Sequence, residues 1–285
     1  MGGLFASSGC RPSARMLRFC ISMSPENPHS SESENKPRVG IPWRTRDEER
    51  QHNVEKLNYY FEAVRRAGGV PEHVSLGLSG EELRMQAAGL DAFVLPGSPA
   101  DVDPGRYAEP RHPKTKMLDG DRDRTDSTIL EHAIAAHKPV LAICYGCQIL
   151  NVHQGGSLVQ DIPAQKPGTK AHGKTDLAAS ATSKDLEHGA TLAEGSHLKK
   201  LAGATQVQIN SSHHQSIERP GEKLRVTARG TDGIIEGVEL QSPDDWVVGV
   251  QWHPERMPDD AFAQKLFADF VDAARKARME APANR

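Results

Sequence analysis

The chain has 285 residues, of which 37% are hydrophobic and 5% aromatic, enough for one domain with a real core. Its net charge is −3, with acidic and basic residues interleaved, so neither nucleic acid nor an anionic membrane is expected as a partner. No apolar run approaches the roughly 18 residues that a membrane helix needs. The four cysteines do not make a disulfide framework, which favours a reducing cytoplasm.

The two ends of the chain are predicted to lie outside the domain. Residues 1–37 are rich in Ser, Pro, Asn and Glu and show no helical or strand period, which indicates a disordered extension. An alternative is that translation begins at Met23, and the sequence leaves both interpretations open. Residues 38–278 are predicted to form the domain, followed by a short tail at 279–285.

In the first half of the domain, apolar strands alternate with amphipathic helices. Strands are predicted at 39–43, 73–76, 92–95 and 139–144, and helices at 53–67, 81–88, 126–137 and 148–153. This alternation predicts a parallel sheet covered by helices on both faces.

The second half of the domain is less regular. Residues 161–200 are polar and weakly patterned, and we interpret them as a long surface excursion. Regular patterning then returns, with strands predicted at 207–210, 224–228, 234–240 and 247–252 and a closing helix at 261–274.

A cysteine stands where a buried strand meets a helix. The strand at 139–144 ends at Cys144, and Gly146 follows two residues later, which is the layout of a nucleophile elbow. Small neighbours suit so tight a turn, and Ala142 and Gly146 supply them. A helix N-terminus favours a thiolate and offers amides to an oxyanion. The alternative for a cysteine is a buried structural thiol, which is our interpretation of Cys147.

A second strand, at 247–252, ends in a His-Pro-Glu sequence. Pro254 stops the strand, so His253 is expected at the carboxyl edge of the sheet, where ligands of parallel sheets bind. His253 could take the proton of Cys144 and return it to a leaving amine, and Glu255 could fix the imidazole tautomer. The tripeptide alone says little; its pairing with the elbow predicts a catalytic site.

Two polar loops could complete this site. The first contains Gly97 and Ser98, either of which could supply a backbone amide to an oxyanion hole beside the amide of Tyr145, although an ordinary turn is the alternative. The second loop is predicted to face substrate rather than a metal, because no Cys, Asp or further His lies near it at ligand spacing. Its members are Ser212, His213, His214 and Gln215.

These segments, in this order, resemble the class I glutamine amidotransferase-like superfamily, and within it the γ-glutamyl-γ-aminobutyrate hydrolase branch, also called peptidase C26. The resemblance covers roughly residues 38–274 and rests on LPGSPADVDPGRY, ICYGCQILNVHQGGSLVQDIP, INSSHHQSI, DGIIEGVE and VGVQWHPE. It implies a flavodoxin-like α/β sandwich with a mainly parallel central sheet. Two positions depart from the usual pattern. Ala142 stands where Gly is common. At position 145 this branch often has Arg, whereas Tyr145 matches glutaminases of the GMP synthetase type.

The resemblance also implies roles for individual residues. Cys144 would be the nucleophile, with His253 and Glu255 completing a triad. The glutamyl head group would be contacted by Gln148 together with Ser212, His213, His214 and Gln215. No cofactor and no metal are implied, the expected partner is a small γ-glutamyl compound, and a homodimer is a further option.

Three functions follow from these predictions. The first is a stand-alone hydrolase that cleaves a small γ-glutamyl amine such as γ-glutamyl-γ-aminobutyrate through a thioester, as in putrescine catabolism. The second is a glutaminase subunit that delivers ammonia to a separate synthetase, for which Tyr145 speaks. The third is a fold retained as a binding module, against which the intact Cys, His and Glu argue.

Overall fold

In the computed structural model of this chain, residues 36–173 and 185–280 are described. The strands, β1 to β11 in chain order, are Arg38–Pro42, Val70–Val74, Ala92–Leu95, Val140–Ile143, Ser157–Val159, Leu186–Leu192, Gln206–Ser211, Ser216–Arg219, Leu224–Gly230, Ile235–Leu240 and Val247–Val250. The helices, α1 to α8, are Arg46–Arg50, Leu57–Arg66, Gly80–Ala88, Gly120–Ala135, Tyr145–His153, Ile162–Gln165, His197–Ala202 and Ala261–Glu280. Short 3-10 turns span Pro104–Tyr107 and Pro254–Arg256.

The described strands form one mixed sheet in the order β2-β1-β3-β4-β11-β10-β9-β6-β7, with β8 joining β10 to β5. The five strands from β2 to β11 are parallel, as the alternation of strands and helices predicts. From β10 onward every pairing is antiparallel. The predicted α/β architecture is therefore confirmed, with a parallel core that is extended by antiparallel strands.

Strand β4 shows why the parallel core is apolar throughout. Leu141 and Ile143 face a core that they share with α2 and α8, whereas Val140 and Ala142 face a second core shared with α3, α4 and α5. Alternate side chains of a strand point to opposite faces, so a strand that is covered on both faces needs an unbroken apolar run. Each large side chain buried in this way contributes about 1.5–3 kcal/mol.

The helix predicted at 126–137 begins earlier, at Gly120, after an Asp119 cap whose carboxylate accepts the N–H of Arg122 at 3.0 Å. Its first turns look like a polar loop because they contain four charged residues in a row. Two of the charges in these turns are nevertheless fully buried, since Arg122 bonds both oxygens of Asp126 at 2.8 Å one helical turn away. Because this ion pair occupies buried positions, it interrupts the apolar periodicity from which the start of the helix would be predicted.

The prediction of a surface excursion at 161–200 is wrong for most of the residues that are described there, 161–173 and 185–200. It contains α6, β6 and α7, and β6 pairs with both β7 and β9 inside the sheet. The buried face of β6 includes His188, whose polarity weakened the alternating pattern. Two short strands, β5 and β8, were also not predicted. Residues 174–184 lie outside the described residues.

The described part of the chain begins and ends with regular structure, since β1 starts at Arg38 and α8 ends at Glu280. Helix α8 continues beyond residue 274 to Glu280, so the first two residues of the predicted tail are helical. Residues 1–35 and 281–285 lie outside the described residues, which leaves the predicted N-terminal extension and the alternative start at Met23 as predictions. None of the described helices is both long and apolar enough to cross a membrane.

Candidate active site

The carboxyl end of β4 carries a strained cysteine. Cys144 follows Ile143 directly, has φ 54° and ψ −105°, and is followed at once by α5. A positive φ in a residue other than glycine costs free energy of about 1–3 kcal/mol and persists only where the surroundings enforce it. The N–H of Cys144 donates to the carbonyl of Val250 in β11 at 2.8 Å, which anchors the turn. The predicted elbow geometry is therefore present.

Close packing around the elbow explains its neighbours in the sequence. A Cβ on Gly146 would lie 2.2 Å from the carbonyl oxygen of Leu95, so only glycine lets α5 begin this close to β3. Ala142 is fully buried and does not prevent the turn. Cys147 is also fully buried, and burial raises the pKa of its thiol well above the usual value. Cys147 therefore stays a neutral packing residue, whereas the Cys144 side chain is slightly exposed.

His253 is held from two sides beyond the end of β11. Asn210, in β7, brackets its backbone: the Asn210 Oδ1 accepts the His253 N–H at 2.8 Å, and the Asn210 Nδ2 donates to the His253 carbonyl at 2.9 Å. The ring is fixed by Glu255, whose Oε1 lies 2.7 Å from His253 Nδ1. Since Nδ1 is engaged there, Nε2 is the nitrogen of this ring that is left to act on Cys144.

The charges of this buried pair support each other. Burial alone would lower the pKa of His253, but the Glu255 carboxylate and Cys144 outweigh it and raise this pKa to about 9. Burial alone would raise the pKa of Glu255, but His253 and Arg256 outweigh it and lower the value. An imidazolium paired with a carboxylate is therefore the favoured state beside Cys144 at neutral pH.

Gly97 marks the point where the site residues converge. A Cβ built on it would lie 2.9 Å from His253 Cε1, 3.1 Å from the Tyr60 hydroxyl and 3.4 Å from Cys144 Cβ. The loop after β3 thus packs directly on the cysteine and the histidine. Cys144, His253 and Glu255 meet at the carboxyl edge of the parallel strands, as the sequence predicts for a catalytic arrangement.

A sequence model of the peptidase C26 family matches residues 37–255, which include the elbow, both loops and the His-Pro-Glu sequence. The chain belongs to the peptidase C26 family. A γ-glutamyl-γ-aminobutyrate hydrolase of Escherichia coli K12 is 31% identical over 243 residues, which cover 84% of this chain and 94% of that protein. A candidate glutamine amidotransferase of Schizosaccharomyces pombe is 33% identical over 218 residues, 76% of this chain and 81% of the relative.

A solved structure confirms the predicted fold class. The crystal structure of a candidate GMP synthase subunit from Thermoplasma acidophilum covers 86% of this chain and is itself covered to 96%, with a TM-score of 0.59. At 14% sequence identity this likeness shows the fold alone. Membership of the C26 family, together with the hydrolases among its relatives, supports a hydrolase activity for this chain.

The oxyanion donors predicted for this C26 site differ in availability. As the first residue of α5, Tyr145 has no carbonyl one turn back within the helix to accept its N–H. The Gly97 N–H instead donates to the Tyr60 hydroxyl at 2.9 Å. Ser98 uses its own hydroxyl to bond the Arg44 carbonyl at 2.8 Å. Tyr60, which lies within the helix predicted at 53–67, therefore brings a hydroxyl into the site.

The residues predicted to bind the glutamyl group separate into two sets. Gln148, one turn into α5, donates from Nε2 to the Gln215 carbonyl and to the Gln251 side chain, both at 3.2 Å. Gln215 donates in turn to the Gln160 carbonyl at 3.0 Å. Gln148 and Gln215 are therefore brought together next to the elbow, where both are buried.

The remaining members of that predicted set are placed differently. His214 lies between Asp101 and Asp161, with ring nitrogens 3.0 and 3.4 Å from their carboxylates, and so connects two loops. His213 is buried and turns toward Glu236, away from any open surface. Ser212 is half-buried beside them. This arrangement therefore does not place His213 for direct contact with a substrate.

A buried arginine beneath the C26 site was not predicted. Arg122 bonds the carbonyls of Trp43, Arg44 and Pro96 at 2.6–3.3 Å, and these follow the ends of β1 and β3. Its guanidinium also lies 4.8 Å from the ring centroid of Tyr145. The Tyr145 side chain is therefore buried in the support of the site.

Proposed function

We propose that this chain hydrolyses the γ-glutamyl amide bond of a small γ-glutamyl amine, such as γ-glutamyl-γ-aminobutyrate, to glutamate and the free amine. The observation that carries the proposal is the convergence of Cys144, His253 and Glu255 on Gly97 at the carboxyl edge of the parallel strands. The substrate class comes from the hydrolase relatives, one of which is named for that compound. The corresponding setting is amine catabolism in the cytoplasm.

In the first half of the proposed reaction, the Cys144 sulfur, whose proton has passed to His253, attacks the γ-carbonyl carbon as a thiolate. The amide N–H of Tyr145, at the N-terminus of α5, stabilises the charge that develops on the carbonyl oxygen. The C–N bond then breaks, and His253 donates its proton to the leaving amine. A γ-glutamyl thioester on Cys144 remains.

In the second half, water replaces the amine. His253, now neutral, takes a proton from the water molecule as its oxygen attacks the thioester carbon. The C–S bond breaks, glutamate leaves, and Cys144 with the protonated His253 is restored. Glu255 keeps the imidazole in one orientation throughout and stabilises its charged form.

Gly97→Ala tests whether this convergence matters for turnover. The added methyl would press on the His253 ring and the Tyr60 hydroxyl, and a displacement of that size lowers kcat on the order of 10²-fold. Gly120→Ala is a matched control, because a Cβ there has no neighbour within 4 Å. Steady-state kinetics on both variants give the answer, and equal activity in the two would mean that the loop does not set the geometry.

Glu255→Gln tests the electrostatic coupling. After burial, the Glu255 carboxylate has the largest effect on His253, and it holds the pKa of His253 at about 9. Its removal lowers this pKa, so the alkaline limb of the kcat/KM profile is expected to move to lower pH. The same raised pKa stabilises the fold below about pH 6.5 and ceases to do so as pH rises through about 9. An unshifted limb in Glu255→Gln, with Glu218→Gln as surface control, would count against the pairing.

Substrate preference tests the proposed function itself. The isolated chain is expected to release glutamate from γ-glutamyl-γ-aminobutyrate faster than from glutamine, without ATP. The assay measures glutamate release from a panel of γ-glutamyl amines and from glutamine. Activity on glutamine alone that appears only when a synthetase is added would favour the glutaminase subunit instead. Tyr145 was the reason for that alternative, and its side chain is buried under Arg122.

A further inference from the structure

A second cluster of titratable side chains lies in the antiparallel part of the sheet, next to the active site but separate from its triad. Its members come from four separate segments and are all buried, with Glu236 fully inaccessible. They are His172 in the loop after α6, His188 in β6, His213 after β7 and Glu236 in β10. The mechanism uses none of them.

The four side chains point at one another. Glu236 Oε1 lies 3.2 Å from His172 Nδ1, 3.5 Å from His188 Nε2 and 3.8 Å from His213 Nε2. A tetrahedral zinc ion binds nitrogen and oxygen at about 2.0–2.2 Å, so its ligand atoms stand about 3.3–3.5 Å apart. The distances from the Glu236 oxygen to His172 and His188 match such an edge, and the distance to His213 is slightly longer.

The outer nitrogen of each ring faces an oxygen acceptor, which fixes the tautomer. Each inner nitrogen then carries a lone pair, as metal-binding histidines do. The outer contacts are His172 Nε2 with the Asp232 carboxylate at 2.8 Å, His213 Nδ1 with the Gln215 carbonyl at 2.8 Å, and His188 Nδ1 with the Gly189 carbonyl at 3.3 Å.

The atoms at the centre of the cluster have too few hydrogen-bond donors around them. His188 Nε2, His213 Nε2 and both oxygens of Glu236 are buried without a hydrogen bond in the described structure. The Ser211 hydroxyl lies 3.4 Å from His172 Nδ1, but at 2.8 Å its proton is directed to the His172 carbonyl. Buried acceptors that converge in this way are satisfied by a shared proton, a water molecule or a metal ion, and the ring orientations suit a metal ion.

We propose that His172, His188 and Glu236, whose ligand atoms lie within 4.8 Å of one another, bind one divalent transition-metal ion, with the His213 ring closing in as the fourth ligand. Zinc is the best match to three imidazoles and one carboxylate. Four protein ligands leave no open position, which is typical of a structural rather than a catalytic zinc. Sequence analysis expected no metal, because the ligands are contributed by distant segments and show no ligand spacing along the chain.

The ion would support the neighbouring active site without entering the reaction. It would join β6 and β10 to the loop that contains Gln215, whose carbonyl accepts hydrogen bonds from both His213 and Gln148. The Glu236 carbonyl also accepts the Gln251 N–H at 2.8 Å, two residues before His253. Binding would therefore stabilise the fold and the loop beside α5.

The test uses the full chain, stripped with a chelator, reloaded with Zn²⁺ and desalted. Elemental analysis is expected to find about one tightly held zinc per chain, and the loaded protein should have a higher Tm than the stripped protein. His188→Ala and Glu236→Gln should lose both the retained zinc and the rise in Tm. His137→Ala, an exposed histidine paired with Asp245, is the matched control and should keep both.

Cobalt substitution keeps the test decisive if the cluster variants do not fold. Co²⁺ bound to the stripped wild-type chain should give the intense visible bands of four-coordinate cobalt. Weak six-coordinate bands, or zinc that washes off the wild-type chain without a change in Tm, would overturn the proposal. Retention of equal zinc by folded His188→Ala would also overturn it, since the cluster would then not be the site.

Discussion

Cys144→Ala is expected to abolish hydrolysis of γ-glutamyl amines while leaving the fold intact. The sulfur forms the only covalent bond to substrate in the proposed reaction, so kcat should fall on the order of 10⁴-fold or more. The side chain is small, and alanine keeps the backbone contacts that anchor the turn, such as the hydrogen bond from the Cys144 N–H to the Val250 carbonyl. Glutamate release and thermal unfolding, measured together, separate lost chemistry from lost structure.

Cys147→Ala is the matched control, because the two thiols are three residues apart. Cys147 packs against β11, where its sulfur lies 2.9 Å from the position of a Cβ on Gly249. Its removal leaves a small cavity and lowers the free energy of unfolding by about 1 kcal/mol, with turnover largely retained. If Cys147→Ala lost turnover in a folded protein and Cys144→Ala did not, the assignment of the nucleophile would be wrong.

His253→Ala is expected to have the second large effect. Without the imidazole, nothing in the site transfers the thiol proton or protonates the leaving amine, so kcat should fall by at least about 10³-fold. Glu255→Gln should lose less, because Glu255 orients and charges the ring but transfers no proton itself. Measurement of kcat for both variants gives the order. Full activity in His253→Ala would exclude the proposed mechanism.

The parts of the site that the sequence predicts are those whose chemistry is local. The elbow needs only an apolar strand, a cysteine and a glycine in immediate succession, and the His-Pro-Glu sequence needs only a strand that stops at proline. Both signals lie within a few residues. The fold places these two segments together because β4 and β11 are adjacent parallel strands, paired from Val140 to Ile143.

The parts that the sequence does not predict depend on long-range contacts. Asn210 holds the His253 backbone from a strand 43 residues away, and Arg122 bonds carbonyls up to 79 residues away. Tyr60 looks like any apolar position of a helical stripe until its hydroxyl is seen beside Gly97. None of these roles changes the local pattern, so no spacing rule could indicate them.

The errors in secondary structure have a related cause. Helix α4 begins with charged residues because its buried turn is neutralised by the ion pair of Arg122 and Asp126. Strand β6 has a histidine on its buried face, because His188 meets Glu236 rather than an apolar neighbour. In both places buried polar groups pair across the fold, and the hydrophobic period on which the predictions depend is weakened there.

Partitioning of the proposed thioester between water and hydroxylamine tests the central claim most directly. Several γ-glutamyl amines with different leaving amines are supplied to the purified chain at one hydroxylamine concentration, and γ-glutamyl hydroxamate and glutamate are quantified. A common γ-glutamyl thioester on Cys144 predicts one product ratio for every substrate, because the amine has already left when the two nucleophiles compete. A ratio that changes with the leaving amine, or turnover that persists in Cys144→Ala, would contradict hydrolysis through a cysteine thioester.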